Sequence, residues 1–501
     1  MVSVLDTHTE IVVSPEDDIE LRRVHLTNRS RRRRRVKITS YAEVVLTSQN
    51  VDAAHPAFSN LFIQTEIADQ RNAIVCFRRP RHAHEQSPAM FHIMKVYHAQ
   101  TIQVTYETDR AKYIGRANSI HTPDAIYNQN KLSNTQGSVL DPIVSIQYYI
   151  ELEPQQTAVI DMVFGAGESK EICYSLVEKY QDKYIADRAF ELSWTHSQVV
   201  LRQINATEND AQLYTRLASA IIFTHSPLRV DPNIIVRNQK GQSGLWSSAI
   251  SGDLPIIILQ IENASNIELV KQLIQAHRYW RLKGLLSDLV IWNEDHGGYR
   301  QLLHNEILSL IEPTFNADTK EEPGGIFIRS ADQVSNEDRI LFQTVARIVI
   351  ADKYGTLEEQ INKRTIKIGS TIPDFTPFKF YPFLLTNIEP PKDLKFYNGI
   401  GGFTKNGKEY VIIRKPNQQT PAPWINVLAN AQFGSIVSEN GQSYTWSENA
   451  HEFRLTPWNN DPITDLTGEA FFIRDEENGK YWSPVLLQKD SKSNYITHHG
   501  F

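Results

Sequence analysis

Cysteine is nearly missing from these 501 residues: only Cys76 and Cys173 occur, far apart and without the spacing of a metal-binding pair. That excludes a disulfide framework or a cysteine zinc site and favours a reducing, cytoplasmic compartment. A charge excess is missing too. The net charge of -6 gives no general reason to expect nucleic acid as a partner. No run approaches the roughly 20 apolar residues of a transmembrane helix. Residues 1–13, MVSVLDTHTEIVV, lack the positive flank and continuous apolar stretch of a signal peptide. What is present is an ordinary soluble composition, 41% hydrophobic and 22% charged, long enough for two or three cores.

Periodicity divides the chain. Across residues 11–164 the dominant period is two: Val144, Ile146, Tyr148, Ile150 and Leu152 alternate with their neighbours, as do Ala158, Ile160, Met162 and Phe164, and Ile102, Val104 and Tyr106. Strands with one buried face require this, so the spacing predicts an antiparallel β-sandwich over 1–166. From 167 to 365 the period lengthens. Stretches 170–181, 185–204, 206–225, 265–283, 299–311 and 335–353 are long enough for helices, with Thr207–Asp210 and Ser335–Asp338 as N-terminal capping pairs. Residues 366–393, rich in Pro and Phe, read as a linker. From 394 to 501 strands return, punctuated by Asn406-Gly407, Asn440-Gly441 and Asn478-Gly479, pairs suited to type I′ hairpin turns. The expected class is multidomain α and β: sandwich, helical region of (α/α) type, then a partial antiparallel sandwich.

Three long blocks carry a resemblance. The first is SPEDDIELRRVHLTNRS with TSYAEVVL and AHPAFSNLF, over 14–62. The second, over 241–343, contains GQSGLWSSAISGDLP, HRYWRLKGLLSDLVIWNEDHGGYRQ and GGIFIRSADQVSNEDRILFQ. The third runs from NGIGGFTKNGKEYVI to GKYWSPV, over 398–485. Together they resemble the phosphorylase-like portion of cyclic β-1,2-glucan synthases, glycoside hydrolase family 94, formerly glycosyltransferase family 36. In that family the half resembling 398–485 precedes the half resembling 11–164, and both build one large sandwich ahead of an (α/α)6 barrel. Here the order is reversed. The resemblance implies an interior slice of a longer polypeptide with two tandem copies of that architecture. A permuted domain, in which the two halves pair with each other inside this chain, is the alternative.

The resemblance also frames the chemistry. Family members use a carboxylic acid on the barrel, in a Gly-Asp-Trp-Asn-Asp-Gly type motif, while inorganic phosphate attacks as co-substrate; no other cofactor is implied. The motif is missing. The nearest string, Trp292-Asn293-Glu294-Asp295, makes Glu294 and Asp295 the catalytic candidates, against a plain reading as a polar loop. In the third block Trp424, Trp446, Trp458 and Trp482 could stack on pyranose faces, with Arg454, Asn460 and Asp461 as hydroxyl partners, although tryptophans in a sandwich mostly pack cores. The five consecutive arginines from Arg31 to Arg35 read as a solvated hairpin connection rather than a phosphate or lipid site. His82, His84 and His92 lack the further ligands of a metal site, and Gly241-Gln242-Ser243-Gly244 lacks the lysine of a phosphate loop. The expectation is a part of the synthase's phosphorylase-like module that does not turn over alone. Its expected partners are β-glucan oligosaccharides and the remaining domains of an inner-membrane-associated parent. The alternative is a non-catalytic carbohydrate-binding or scaffolding module.

Overall fold

The structure, a computed structural model, describes residues 4–80, 88–128, 131–294, 300–311, 323–363, 391–415, 418–477, 479, 481–485 and 494–500. The chain forms two compact units, one from Met1–Ser193 with Phe375–Phe501, the other from Trp194–Asp374. The reversed order of the two β regions thus brings both into one unit. Asp295, His82, His84, Asn478 and most of the 366–393 linker lie outside the described residues.

The first unit opens with ten strands: β1 (Leu5–Val13), β2 (Ile19–Asn28), β3 (Arg34–Thr39), β4 (Ala42–Glu43), β5 (Ile63–Ala68), β6 (Ala73–Arg78), β7 (Ala89–Tyr97), β8 (Gln100–Asp109), β9 (Pro142–Leu152) and β10 (Thr157–Gly167). They make an antiparallel sheet of order β1-β2-β10-β7-β6-β5 and a second in which β3, β4 and β8 all pair with β9. The alternation read from the sequence fills the space between them: Val144, Ile146, Tyr148, Ile150 and Leu152 meet Leu26, Ile63, Ile74, Met94, Ala158 and Ile160. The outer face of the six-stranded sheet is covered by helix Lys170–Lys179, whose Cys173 and Val177 pack with Leu21, Val75, Phe91 and Val163. The arginine run links β2 to β3 and so crosses from one sheet to the other instead of closing a hairpin. Arg33 and Arg35 both hold Glu151, at 3.2 and 2.7 Å.

The second unit has the helices, and it also has a sheet that the periodicity did not announce. Strands β11 (Ile256–Ile261), β12 (Asp288–Asn293), β13 (Ile326–Ser330) and β14 (Ile348–Ala351) are parallel, in the order β13-β12-β11-β14. Its helices therefore lie on a sheet instead of packing in (α/α) pairs. One face carries Tyr214 and Leu217 of helix Glu208–Ile222, Leu273 and Trp280 of helix Ile267–Leu282, and Leu303 and Ile307 of helix Arg300–Ile311. The other carries Leu341 and Phe342 of helix Asn336–Val345, against Ile258, Val290 and Trp292. Parallel strands buried on both faces read as short continuous apolar runs, which period-two reasoning passes over. The predicted caps are in place: Thr207 and Asp210 bond reciprocally, and the Ser335 side chain accepts from the Asp338 N–H.

The remaining strands belong to the first unit: β15 (Gly401–Phe403), β16 (Glu409–Arg414), β17 (Ile425–Ala429), β18 (Phe433–Ser438), β19 (Ser443–Ser447), β20 (Ile473–Arg474), β21 (Tyr481–Trp482) and β22 (Tyr495–Gly500). They form separate antiparallel sheets β15-β16-β22, β17-β18-β19 and β20-β21. The first two Asn-Gly pairs do sit in hairpins, but only the glycine takes a positive φ, 72° at Gly407 and 85° at Gly441. The Gly407 N–H bonds to the Thr404 carbonyl and the Gly441 N–H to the Ser438 carbonyl. These are turns closed by a left-handed glycine rather than type I′, in a four-residue loop (405–408) between Thr404 and Glu409 and a three-residue loop (439–441) between Ser438 and Gln442.

Among the described residues no strand of this region pairs with β1–β10. The two β regions meet through loops instead. Ile463 enters a small core with Tyr113, Ile114, Leu132 and Ile143, and the Ala117 N–H bonds to the Ile463 carbonyl at 2.7 Å.

Candidate functional site

That junction encloses a cleft of about 690 Å³ with mixed polar and apolar walls, the kind of concavity that suits a ligand. One wall comes from Glu43, from Asn60 and Leu61 at the end of helix Pro56–Asn60, from Arg110 and from Asp141; the other comes from Pro421 and residues 459–463. Arg110 is placed by local chemistry: the Asp109 carboxylate accepts from the Ala111 N–H and starts the helical turn Arg110–Ile114. Its guanidinium is then aimed at three carboxylates. It grips Asp461 with both terminal nitrogens, at 3.1 and 2.9 Å, and reaches Asp141 at 3.0 Å and Glu43 at 2.9 Å.

The two aspartates respond in opposite ways. Burial raises the Asp141 carboxyl above its usual range, and its contact with the shared Arg110 does not offset this. Burial pushes Asp461 the same way, but hydrogen bonds from Arg110 and Thr464 outweigh it and hold the carboxyl below the usual range. Asp461 also accepts from the backbone N–H groups of Ile463 and Thr464, at 2.9 and 3.1 Å. A carboxylate so committed orders its loop; it is not free to hand over a proton.

A second arginine works deeper. Arg116 contacts Glu439 at 3.3 Å and Asp465 at 2.8 Å, both almost fully buried. Glu439 accepts from the Trp424 N–H at 2.7 Å and from the Thr420 hydroxyl, while Asn440 bonds to Asp465 and to Arg414. Two arginines and two carboxylates thus neutralise each other inside the junction.

Of the residues singled out in the sequence, Asn460 and Asp461 line the cleft. Trp458 sits just outside it, stacked on Tyr444 at 5.8 Å, edge-on to His55 at 5.8 Å, with the Arg454 guanidinium 5.2 Å over its ring. Its indole is engaged by protein groups. Trp446 packs over Gly434, where an added Cβ would lie 2.2 Å from the indole, and Trp424 meets Tyr410 edge-on. Trp482 is exposed on β21. Glu294 lies elsewhere, in the second unit, at the end of β12, paired with Arg339 and near Gln260. The sequence reading missed Arg110, Arg116, Asn60 and Asp141, which are scattered charged or amide residues with no local motif.

In the second unit the strand order reverses between β11 and β14, the place where doubly wound sheets hold ligands. Here Asp352 Oδ2 accepts from the N–H groups of Glu262 and Asn263, at 3.1 and 3.0 Å, and from the Asn266 amide at 3.2 Å. The chain's own carboxylate takes those donors. Elsewhere His92 is buried with its Nε2 2.7 Å from Ser40 Oγ, an internal pin. Among the described residues no cluster of three metal-ligating side chains occurs, and no helix is long and apolar enough to cross a membrane.

Comparison with known proteins adds the ancestry. The cyclic beta-(1,2)-glucan synthase NdvB of Rhizobium meliloti (strain 1021) is 30% identical over 506 residues, covering 99% of this chain and 18% of that protein. The N,N'-diacetylchitobiose phosphorylases of Vibrio proteolyticus and Vibrio furnissii are each 32% identical over 104 residues, 20% of this chain and 12% of theirs. The chain therefore spans under a fifth of the length of the relatives it matches. The family described as glycosyl hydrolase 94, supersandwich domain, matches residues 2–183 and 408–501, the two β regions that meet at the cleft. On that match, covering more than half of its length, the chain belongs to the glycosyl hydrolase 94 supersandwich family.

Proposed function

We propose that this chain acts as a glucan-contacting module within the phosphorylase-like part of a cyclic β-1,2-glucan synthase and does not turn over substrate alone. The observation that carries the reading is the junction cleft, where the amides of Asn60, Asn459 and Asn460, their nitrogens bonded to Asp141, the Leu466 carbonyl and His55, line the wall beside Arg110 and apolar Leu61, Leu140 and Pro421. Amides and charged groups beside small apolar surfaces suit sugar hydroxyls and ring C–H faces. The cleft's carboxylates favour binding over catalysis, because Asp461 and Asp141 share one guanidinium, and outside the cleft the catalytic candidate Glu294 is paired with Arg339. In this reading β-1,2-gluco-oligosaccharides and the other domains of the synthase are the partners. Inorganic phosphate serves the parent enzyme and no cofactor is held here. The two free, buried cysteines fit a cytoplasmic location.

Calorimetric titration of the 501-residue chain with β-1,2-gluco-oligosaccharides is expected to show saturable binding that Asn460→Ala weakens by about tenfold, the loss of one or two hydrogen bonds. No binding would reduce the role to scaffolding. Release of glucose 1-phosphate from β-1,2-glucan in the presence of phosphate would replace the reading with an enzymatic one.

A further inference from the structure

On the reading that the junction cleft takes a glucan, its charge specifies that ligand more closely than its shape does. Four carboxylates, Glu43, Asp109, Asp141 and Asp461, line the walls against two guanidiniums, Arg110 and Arg116. Neither arginine is left over. Arg110 is held by Glu43, Asp141 and Asp461 at 2.9, 3.0 and 2.9 Å. Arg116 is held by the buried Glu439 and Asp465, and its Nε and Nη1 are sealed from solvent. The cleft therefore meets a ligand with an excess of negative charge and, among the described residues that line it, with no uncommitted cation.

What the walls do offer is hydrogen-bonding capacity without positive charge. Glu43 Oε1 accepts from the Tyr41 hydroxyl and the Arg110 guanidinium, at 2.7 and 2.9 Å. Asp109 Oδ1 accepts from the Ala111 N–H at 2.9 Å. Among the described residues the second oxygen of each is open to a ligand hydroxyl. Asn60, Asn459 and Asn460 bond to the protein through their nitrogens, which leaves their carbonyl oxygens as further acceptors. A sugar hydroxyl both donates and accepts, so it matches these walls. An ionised phosphate or carboxylate accepts without donating, and it brings a like charge beside Glu43 and Asp109. Of the carboxylates on Arg110, Glu43 is the most open to a ligand, with its side chain 55% exposed against 25% for Asp141 and 17% for Asp461.

We propose that the cleft selects its glucan by charge, taking the unsubstituted chain and turning away one that carries an anionic group, with Glu43 and Asp109 as the residues that set the selection.

Calorimetric titration of the 501-residue chain tests this with a β-1,2-gluco-oligosaccharide, the same oligosaccharide carrying one phosphate monoester, and its neutral dimethyl phosphate ester of similar size. The monoester is expected to bind about tenfold or more weakly than the neutral ester at low salt. At about 1 M salt, where the Debye length falls to roughly 3 Å, the gap is expected to close to about threefold. Glu43→Gln combined with Asp109→Asn keeps both acceptor oxygens and the cap at Ala111, removes both charges, and is expected to narrow the low-salt gap to about threefold. If the unsubstituted oligosaccharide does not bind, the glucan reading falls and this inference with it. If it binds and the monoester binds as tightly, or the gap is unchanged by high salt or by the double variant, the inference alone is overturned. A neutral ester as weak as the monoester makes the exclusion one of size and overturns it likewise.

Discussion

Arg110 does at one point what the β regions do not do with strands: it ties the loop around Asp461 to β4 and to the start of β9. Both members of the bidentate pair are largely buried, at 11% and 17% side-chain exposure. Asp461→Asn leaves the guanidinium short of a counter-charge, and about 3 kcal/mol of stability is expected to be lost in denaturant unfolding. His92 gives a pH handle. Burial depresses its pKa to about 4, as it does for His277. The unfolded chain takes up these protons first, near pH 6.5, so their contribution is complete above pH 6.5 and declines as pH falls toward 4. Each site is expected to remove roughly 3 kcal/mol across that window. Guanidinium unfolding at pH 7 and pH 4.5 checks this, and His92→Gln is expected to flatten the slope by about half. Asn460 and Asp461 were singled out from a polar stretch of the third block; Arg110 and Asp141 were not, since only folding brings Asp141 and Asp461 within 3.1 Å of the Arg110 guanidinium.

At the scale of elements, local rules were read most reliably where they are local. Thr207 forms the reciprocal cap that its spacing with Asp210 implied. Thr207→Ala is expected to lower stability by about 1 kcal/mol, read as a shift in thermal midpoint. The hairpins were located from Asn-Gly, but their turn class was not, because strand twist and the Thr404 and Ser438 carbonyls select a left-handed conformation for the glycine alone. Gly434 has a different reason to be glycine. Trp446 occupies the space a Cβ would need, so Gly434→Ala is expected to displace the indole, cost about 1–3 kcal/mol and redshift Trp fluorescence. The parallel strands were lost to a limit of periodicity. Ile256–Ile261 and Ile348–Ala351 are buried on both faces and show no alternation. The second was absorbed into an apparent helix beginning at Ser335, although Ala346 and Arg347 separate it from helix Asn336–Val345.

At the scale of the whole molecule, the order β, α, β was plain from composition and period. That the outer two regions share one compact unit entered only as the permuted alternative, from the reversed order of the halves, since no local pattern encodes the meeting of Arg110 with a residue 351 positions away. That separation has a kinetic meaning. Bringing the ends of a flexible loop of that length together costs about 5 kcal/mol of chain entropy. The cost shrinks if the intervening residues have already condensed around β11–β14, because a folded insert shortens the effective loop. The junction cleft is then a late event in folding, closed only after its far wall has been synthesised.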